Sequence, residues 1–154
     1  MDGTLSVLFG RQLIPYSVVY DMNKGVMLAV VIVEDSLFFA DLILRILKRN
    51  GISVESRIVS SKAGLQDVLN GNHWDIILSD NVMPEFNALG ALKVRNVICS
   101  DTPFMIVSED ISQKELTEAF EKGCSFFLPK DRISELPEVI GRVVAEHDLK
   151  ENCQ

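Results

Sequence analysis

Val26-Met-Leu-Ala-Val-Val-Ile-Val33-Glu34-Asp35 is the stretch on which the fold turns. Eight apolar residues, rich in β-branched side chains, run without a polar break and end on two acids. The run is far short of the ~20 residues a membrane-spanning helix needs. A half-buried strand would alternate; this one does not, so it reads as a strand buried on both faces. A strand covered above and below belongs to a parallel sheet with helices on each side.

Working outward, the same alternation repeats. Ser36 to Asn50 carries Leu37, Ala40, Leu44 and Leu47 at helical spacing, and Gly51 stands where a glycine stops a helix. Ile52 to Ser60 alternates weakly, as an edge strand does. Ser61 caps a short helix through Leu69 that ends near Gly71. Trp74 to Ser79 is a third strand, closed by Asp80; a loop with Pro84 leads to a helix from about Asn87 to Val97. Phe104 to Ser108 is a fourth strand, and Ser112-x-x-Glu115 is a capping box opening a helix stopped by Gly123. Phe126 to Leu128 is a short fifth strand, and Pro137 suits the first turn of the last helix. Five strand–helix units in strict alternation predict a doubly wound α/β domain with helices on both faces.

The composition agrees. The chain has 154 residues, 47% of them hydrophobic and 24% charged, with a formal charge of −7. That much apolar surface excludes disorder for most of the chain. An acidic chain repels a phosphate backbone, so direct nucleic-acid binding is not expected, and no segment is long enough to cross a membrane. Cys99, Cys124 and Cys153 are odd in number and form no C-x-x-C pair, which suits a cytoplasmic protein with free thiols. His73 and His147 lack metal-ligand spacing. Residues 1–25 are expected to be an extension, 26–150 the domain and 151–154 a tail. The extension is no secretory signal, because Asp2 opens it and Arg11 and Pro15 interrupt it. It is too apolar for a solvated tail. Either it packs on the domain or on another chain, or Met22 or Met27 is the natural start.

In doubly wound folds ligands bind beyond the carboxyl ends of the strands. Those ends carry Glu34 and Asp35, then Asp80, then Ser108, then Lys130. Three carboxylates side by side repel one another unless a cation sits among them. Oxygen ligands with open positions suit Mg²⁺. A hydroxyl and an ammonium nearby suit an oxyanion such as a phosphoryl group. The residues thus point to Mg²⁺-assisted phosphoryl chemistry, with an aspartate able to act as nucleophile and form an acyl phosphate.

The segments Val-Ile-Val-Glu34-Asp35-Ser, Ile-Ile-Leu-Ser-Asp80-Asn-Val-Met-Pro84, Met-Ile-Val-Ser108 and Phe-Phe-Leu-Pro-Lys130 resemble the motifs of the response-regulator receiver domain of two-component signalling, as in chemotaxis regulators. The gaps fit as well: 45 residues from Asp35 to Asp80, 28 from Asp80 to Ser108 and 22 from Ser108 to Lys130. The likeness covers about 28–149. The stretch from Phe127 to Ile140 is similar to a receiver subgroup often joined to sensory and kinase modules. The resemblance implies a flavodoxin-like five-stranded sheet of order 2-1-3-4-5, with Asp80 as phospho-acceptor. It implies Mg²⁺ held by Asp35, Asp80 and the Val82 backbone carbonyl, with Glu34 acting through water. Ser108 would bind the phosphoryl oxygens, Lys130 would neutralise them, and Phe127 would be an aromatic switch coupled to Ser108. The implied donor is a histidine kinase or phosphotransfer protein. The implied output is contact with a downstream protein, with a homodimer as a further possibility; such a domain is a switch, not a turnover enzyme.

Four departures from the family pattern stand out. Glu109 replaces a small residue, Asp131 replaces a frequent proline, Asn87-Ala88 replaces Asp-Gly, and Val82 offers no hydrogen bond to an attacking water. Two other functions stay in view: a receiver-like binding module independent of phosphorylation, and a small hydrolase using Asp80. The hydrolase lacks its acidic partner two residues on, because Val82 stands there. No output module follows Leu149, so the output is expected to be a contact made by this domain, or the chain is a segment of a longer protein.

Overall fold

The computed structural model describes residues 6–9, 12–15 and 27–152. Two short strands, β1 (Ser6–Phe9) and β2 (Gln12–Pro15), pair antiparallel as a hairpin in register Ser6↔Pro15 to Phe9↔Gln12. The remaining residues before Met27, and Cys153, lie outside the described residues, and with them most of the expected extension and tail.

The domain alternates as the sequence predicts. β3 (Leu28–Val33) leads to α1 (Leu37–Arg49), β4 (Val54–Val59) to α2 (Lys62–Leu69), and β5 (Ile76–Ser79) to α3 (Ala88–Ile98). β6 (Phe104–Ser108) leads to α4 (Gln113–Glu121), and β7 (Phe126–Pro129) to α5 (Leu136–Asn152). The helices begin where side chains can accept from the free N–H groups of a first turn. Ser36, Ser61, Asn87 and Ser112 each accept one such bond, and Ser112 with Glu115 completes the capping box. Gly51 and Gly123 adopt positive φ (77° and 107°) just past α1 and α4, a backbone region that a Cβ disfavours.

All four pairings in the five-stranded sheet are parallel, in the order β4-β3-β5-β6-β7. Counted from β3, this is the expected order 2-1-3-4-5. β3 shows why its run had to be apolar throughout. Val30 and Ile32 pack on one face with α1 and α5, while Val31 and Val33 pack on the other with α2, α3 and α4. Burying each such side chain contributes about 1.5–3 kcal/mol. β4 is one of the two edge strands, and its side chains are half-buried or exposed.

Two local features differ from expectation. The third strand begins at Ile76 rather than Trp74; Trp74 packs in the core while its indole N–H donates to the Val68 carbonyl at 2.7 Å. Between β7 and α5 lies a 3-10 stretch, Lys130–Glu135, that the sequence reading does not contain. Its residues show no apolar period, and Arg132 at its middle instead bonds Glu135.

Candidate functional site

Sheet register builds the site. The chain passes from β3 out to β4 and then returns to the other side of β3 as β5, so a crevice opens at the carboxyl ends of β3 and β5. Val33 pairs with Ser79, and the Asp80 N–H donates to the Val33 carbonyl at 2.9 Å. Glu34 and Asp80 therefore emerge side by side. Ser108 pairs with Pro129 at the ends of β6 and β7, which sets Lys130 at the same edge. Lys130 starts two strands from Asp80, roughly 10 Å by the usual strand spacing, a gap its long stem can bridge.

One carboxylate oxygen from each of Glu34, Asp35 and Asp80 lies within 4.8 Å of the others. Among the described residues this is the one such group of three. Lys130 Nζ sits 3.0 Å from Glu34 Oε2 and 3.3 Å from Asp80 Oδ2. The remaining oxygens are divided unevenly. The Ser36 N–H donates to Glu34 Oε1 (3.0 Å) and the Asn81 N–H donates to Asp80 Oδ1 (2.8 Å). Asp35 is exposed, and no described residue donates a hydrogen bond to its carboxylate. Glu34 and Asp80 are only 3% and 6% exposed.

Burial pushes the Glu34 carboxyl above its ordinary pKa; the Asp80 charge adds to this, against the pull of the Ser36 N–H and Lys130. Burial alone would lower the Lys130 ammonium, but Glu34 and Asp80 outweigh it and raise its pKa. Phe39 from α1 closes the site from below, with Lys130 Nζ 4.2 Å from its ring centroid, a cation–π distance.

The other expected residues are placed less directly. Ser108 is buried at the end of β6, but its hydroxyl is engaged within its own loop. It donates to the Asp110 carbonyl and accepts from the Asp110 N–H, each at 3.2 Å. Phe127 is half-buried against the core face of α2, α3 and α4. Val82 points into solvent, as do Glu109 and Asp131. Asn87 is extended (φ −132°) and caps α3, and no non-glycine residue among those described has positive φ. Phe39 and Asn81 were not foreseen. Phe39 is indistinguishable in sequence from other core positions of α1, and the only hint for Asn81 was its place beside Asp80.

Fold and crevice together define a doubly wound α/β domain with an acidic, lysine-bridged site at its switch point. The chain belongs to the response-regulator receiver family, whose domain matches residues 30–141. Over 118 residues it is 30% identical to the DNA-binding transcriptional regulator NtrC of Rhizobium meliloti (strain 1021). That match covers 76% of this chain but spans only about a quarter (24%) of the relative's length. Among solved structures, a CheY-like receiver domain protein from Methanospirillum hungatei JF-1 superposes with a TM-score of 0.71 at 19% identity, covering 80% of this chain and 98% of that one. The receiver domain of sensor histidine kinase PA1611 from Pseudomonas aeruginosa PAO1 superposes with a TM-score of 0.65 at 17% identity, covering 77% and 98%. That structure holds a magnesium ion coordinated in its active-site cleft. Receiver domains of this family are signalling switches of two-component systems. No helix among the described residues is long and apolar enough to cross a membrane.

Proposed function

We propose that this chain accepts a phosphoryl group on Asp80 from a histidine kinase or phosphotransfer protein, with Mg²⁺ as cofactor, and signals by protein contact. The observation that carries the reading is the cluster of Glu34, Asp35 and Asp80 carboxylates bridged by Lys130. Three carboxylates against one ammonium leave a formal charge of minus two, and among the described residues none donates to Asp35, which fits a divalent cation with oxygen ligands. Glu34, Asp35, Asp80 and the Val82 carbonyl would hold it. When bound, Mg²⁺ offsets the negative charge that otherwise repels an incoming phosphoryl group.

The chain's own residues do the rest. An Asp80 carboxylate oxygen attacks the phosphorus of a phosphohistidine; the new O–P bond forms as the N–P bond breaks, and the released imidazole takes a proton from water. The Asn81 N–H holds the other Asp80 oxygen in place. Lys130, already between Glu34 and Asp80, neutralises the transferred group. Ser108 would leave Asp110 and donate to a phosphoryl oxygen, with Phe127 responding behind it. Leu37 and Phe38, 72% and 81% exposed on the first turn of α1 next to Asp35, suit an apolar docking face for the donor. Residues 26–150 form the receiver unit in this reading, and the hairpin belongs to an extension of separate role. The full activity of longer relatives such as NtrC is not carried over with the quarter that matches.

The test is mass spectrometry after incubation with Mg²⁺ and acetyl phosphate. The reading expects an acid-stable, base-labile phosphoryl adduct that is absent in Asp80→Asn. No adduct with the wild-type chain would favour a phosphorylation-independent module, and steady phosphate release would favour a hydrolase.

A further inference from the structure

Asn81 is a buried polar residue whose side chain faces away from the acidic cluster. Its backbone N–H serves Asp80, but its carboxamide Nδ2 donates to the Asp110 carbonyl (3.0 Å) and to Glu115 Oε2 (3.1 Å). Asp110 lies in the β6–α4 connection and Glu115 in the first turn of α4. Asp110 is the residue that occupies the Ser108 hydroxyl. Glu115 is the capping-box acid of α4, and the same Oε2 accepts from the Ser112 N–H at 3.2 Å. One amide just past the end of β5 therefore ties down both the loop that holds Ser108 and the first turn of α4.

We propose that Asn81 is a positioning residue: it latches the 108–112 loop and the α4 N-terminus in the resting arrangement, and it must release them when Ser108 turns to the phosphoryl group. The proposal rests on the reading of Asp80 as acceptor. The Ser108 hydroxyl has one proton, now given to the Asp110 carbonyl; donating it to an oxyanion on Asp80 breaks that bond. As the loop follows Ser108 toward the crevice, Asp110 and Glu115 move relative to Asn81, which lies two residues past β5 with its backbone N–H bonded to Asp80. A charge-assisted bond to Glu115 opposes that movement. Occupancy of Asp80 and freedom of α4 thus belong to one state of a two-state element, and the latched loop to the other.

The experiment compares Asn81→Leu and Ser112→Ala with the wild-type chain. Leucine keeps the backbone donor to Asp80 but loses the latch; Ser112→Ala loses the serine half of the capping box but leaves the Asn81–Glu115 bond. Without ligand, amide exchange over 108–116 is expected to quicken in Asn81→Leu. With Mg²⁺, beryllofluoride is expected to bind Asn81→Leu more tightly than wild type by roughly tenfold or more, the factor carried by one charge-assisted hydrogen bond. Ser112→Ala is expected to loosen α4 without that gain. Tighter binding is not something a damaged fold produces. Unchanged exchange, or equal or weaker beryllofluoride binding by Asn81→Leu, overturns the latch. If the wild-type chain binds no beryllofluoride, the acceptor reading fails, and the exchange comparison still decides the latch. Should Asn81→Leu not fold, Glu115→Ala against Ser112→Ala tests the charged half of the latch in the same direction, since only the former also removes the Asn81–Glu115 bond.

Discussion

Asp35→Asn is expected to make the protein more stable in the absence of divalent cations while removing its response to Mg²⁺. Asp35 contributes a carboxylate within 4.8 Å of those of Glu34 and Asp80, yet the ion pairs of Lys130 go to Glu34 and Asp80. Replacing it removes two repulsions and one attraction, to the Lys130 ammonium. At 4.8 Å two unit charges repel by about 0.9 kcal/mol in a water-like dielectric and about 3.5 kcal/mol at an effective value of 20. Asp35 is exposed, so the lower figure applies. Lys130 offsets one of the two pairs, so the gain is about 1 kcal/mol, or about 2–4 °C in Tm for a chain of this size. The assay is urea or thermal unfolding at pH 8 and low salt, with chelator or with millimolar Mg²⁺. In chelator the variant is expected above wild type, with the gap closing as salt screens the charges. With Mg²⁺ the wild-type chain gains stability by linkage and the variant does not. A variant no more stable than wild type in chelator, or a gap indifferent to salt, refutes the electrostatic account.

Three further outcomes are expected. Glu109→Ala should be phosphorylated faster than wild type by acetyl phosphate, because an exposed acid next to Ser108 repels an anionic donor; equal rates refute this. Once formed, the phosphorylated chain should persist for minutes or longer, since the exposed Val82 side chain gives an attacking water no hydrogen bond; decay within seconds, followed by intact mass, would contradict it. Burial pushes the Cys124 thiol from 9.0 up to about 11, so at pH 9 the unfolded chain has this thiol about half ionised and the folded chain roughly fiftyfold less. Peptide mapping after iodoacetamide treatment at pH 9 should find Cys124 spared in the native protein and labelled in urea; native labelling at the urea rate would overturn it.

The boundaries of the helices were legible because they are local chemistry. Ser36, Ser61, Asn87 and Ser112 accept bonds from N–H groups three residues on, and Gly51 and Gly123 supply the backbone that ends a helix. The 3-10 stretch was not legible. Lys130–Glu135 has neither apolar period nor cap, and it joins β7 to a helix whose place is set by packing on α1 and β3. The candidate acidic residues were likewise visible as strand ends, but their state was not. Nothing near Lys130 in sequence indicates that its ammonium lies between Glu34 and Asp80 over the ring of Phe39. Ser108 is turned into its own loop for the same kind of reason, since Asp110 meets Asn81 only once β5 and β6 are side by side.

By itself, the sequence determined the alternation of strand and helix, the parallel sheet buried on both faces, and the collection of Glu34, Asp35, Asp80, Ser108 and Lys130 at one end of it. Period, caps and glycine stops act within a few residues, so they can be read from the chain. Tertiary structure alone decided that Val33 pairs with Ser79, that Lys130 bridges two carboxylates, and that Asn81 meets Glu115 across 34 residues of sequence. Those contacts depend on strand order, register and the closure of loops, and none of these has a local signature.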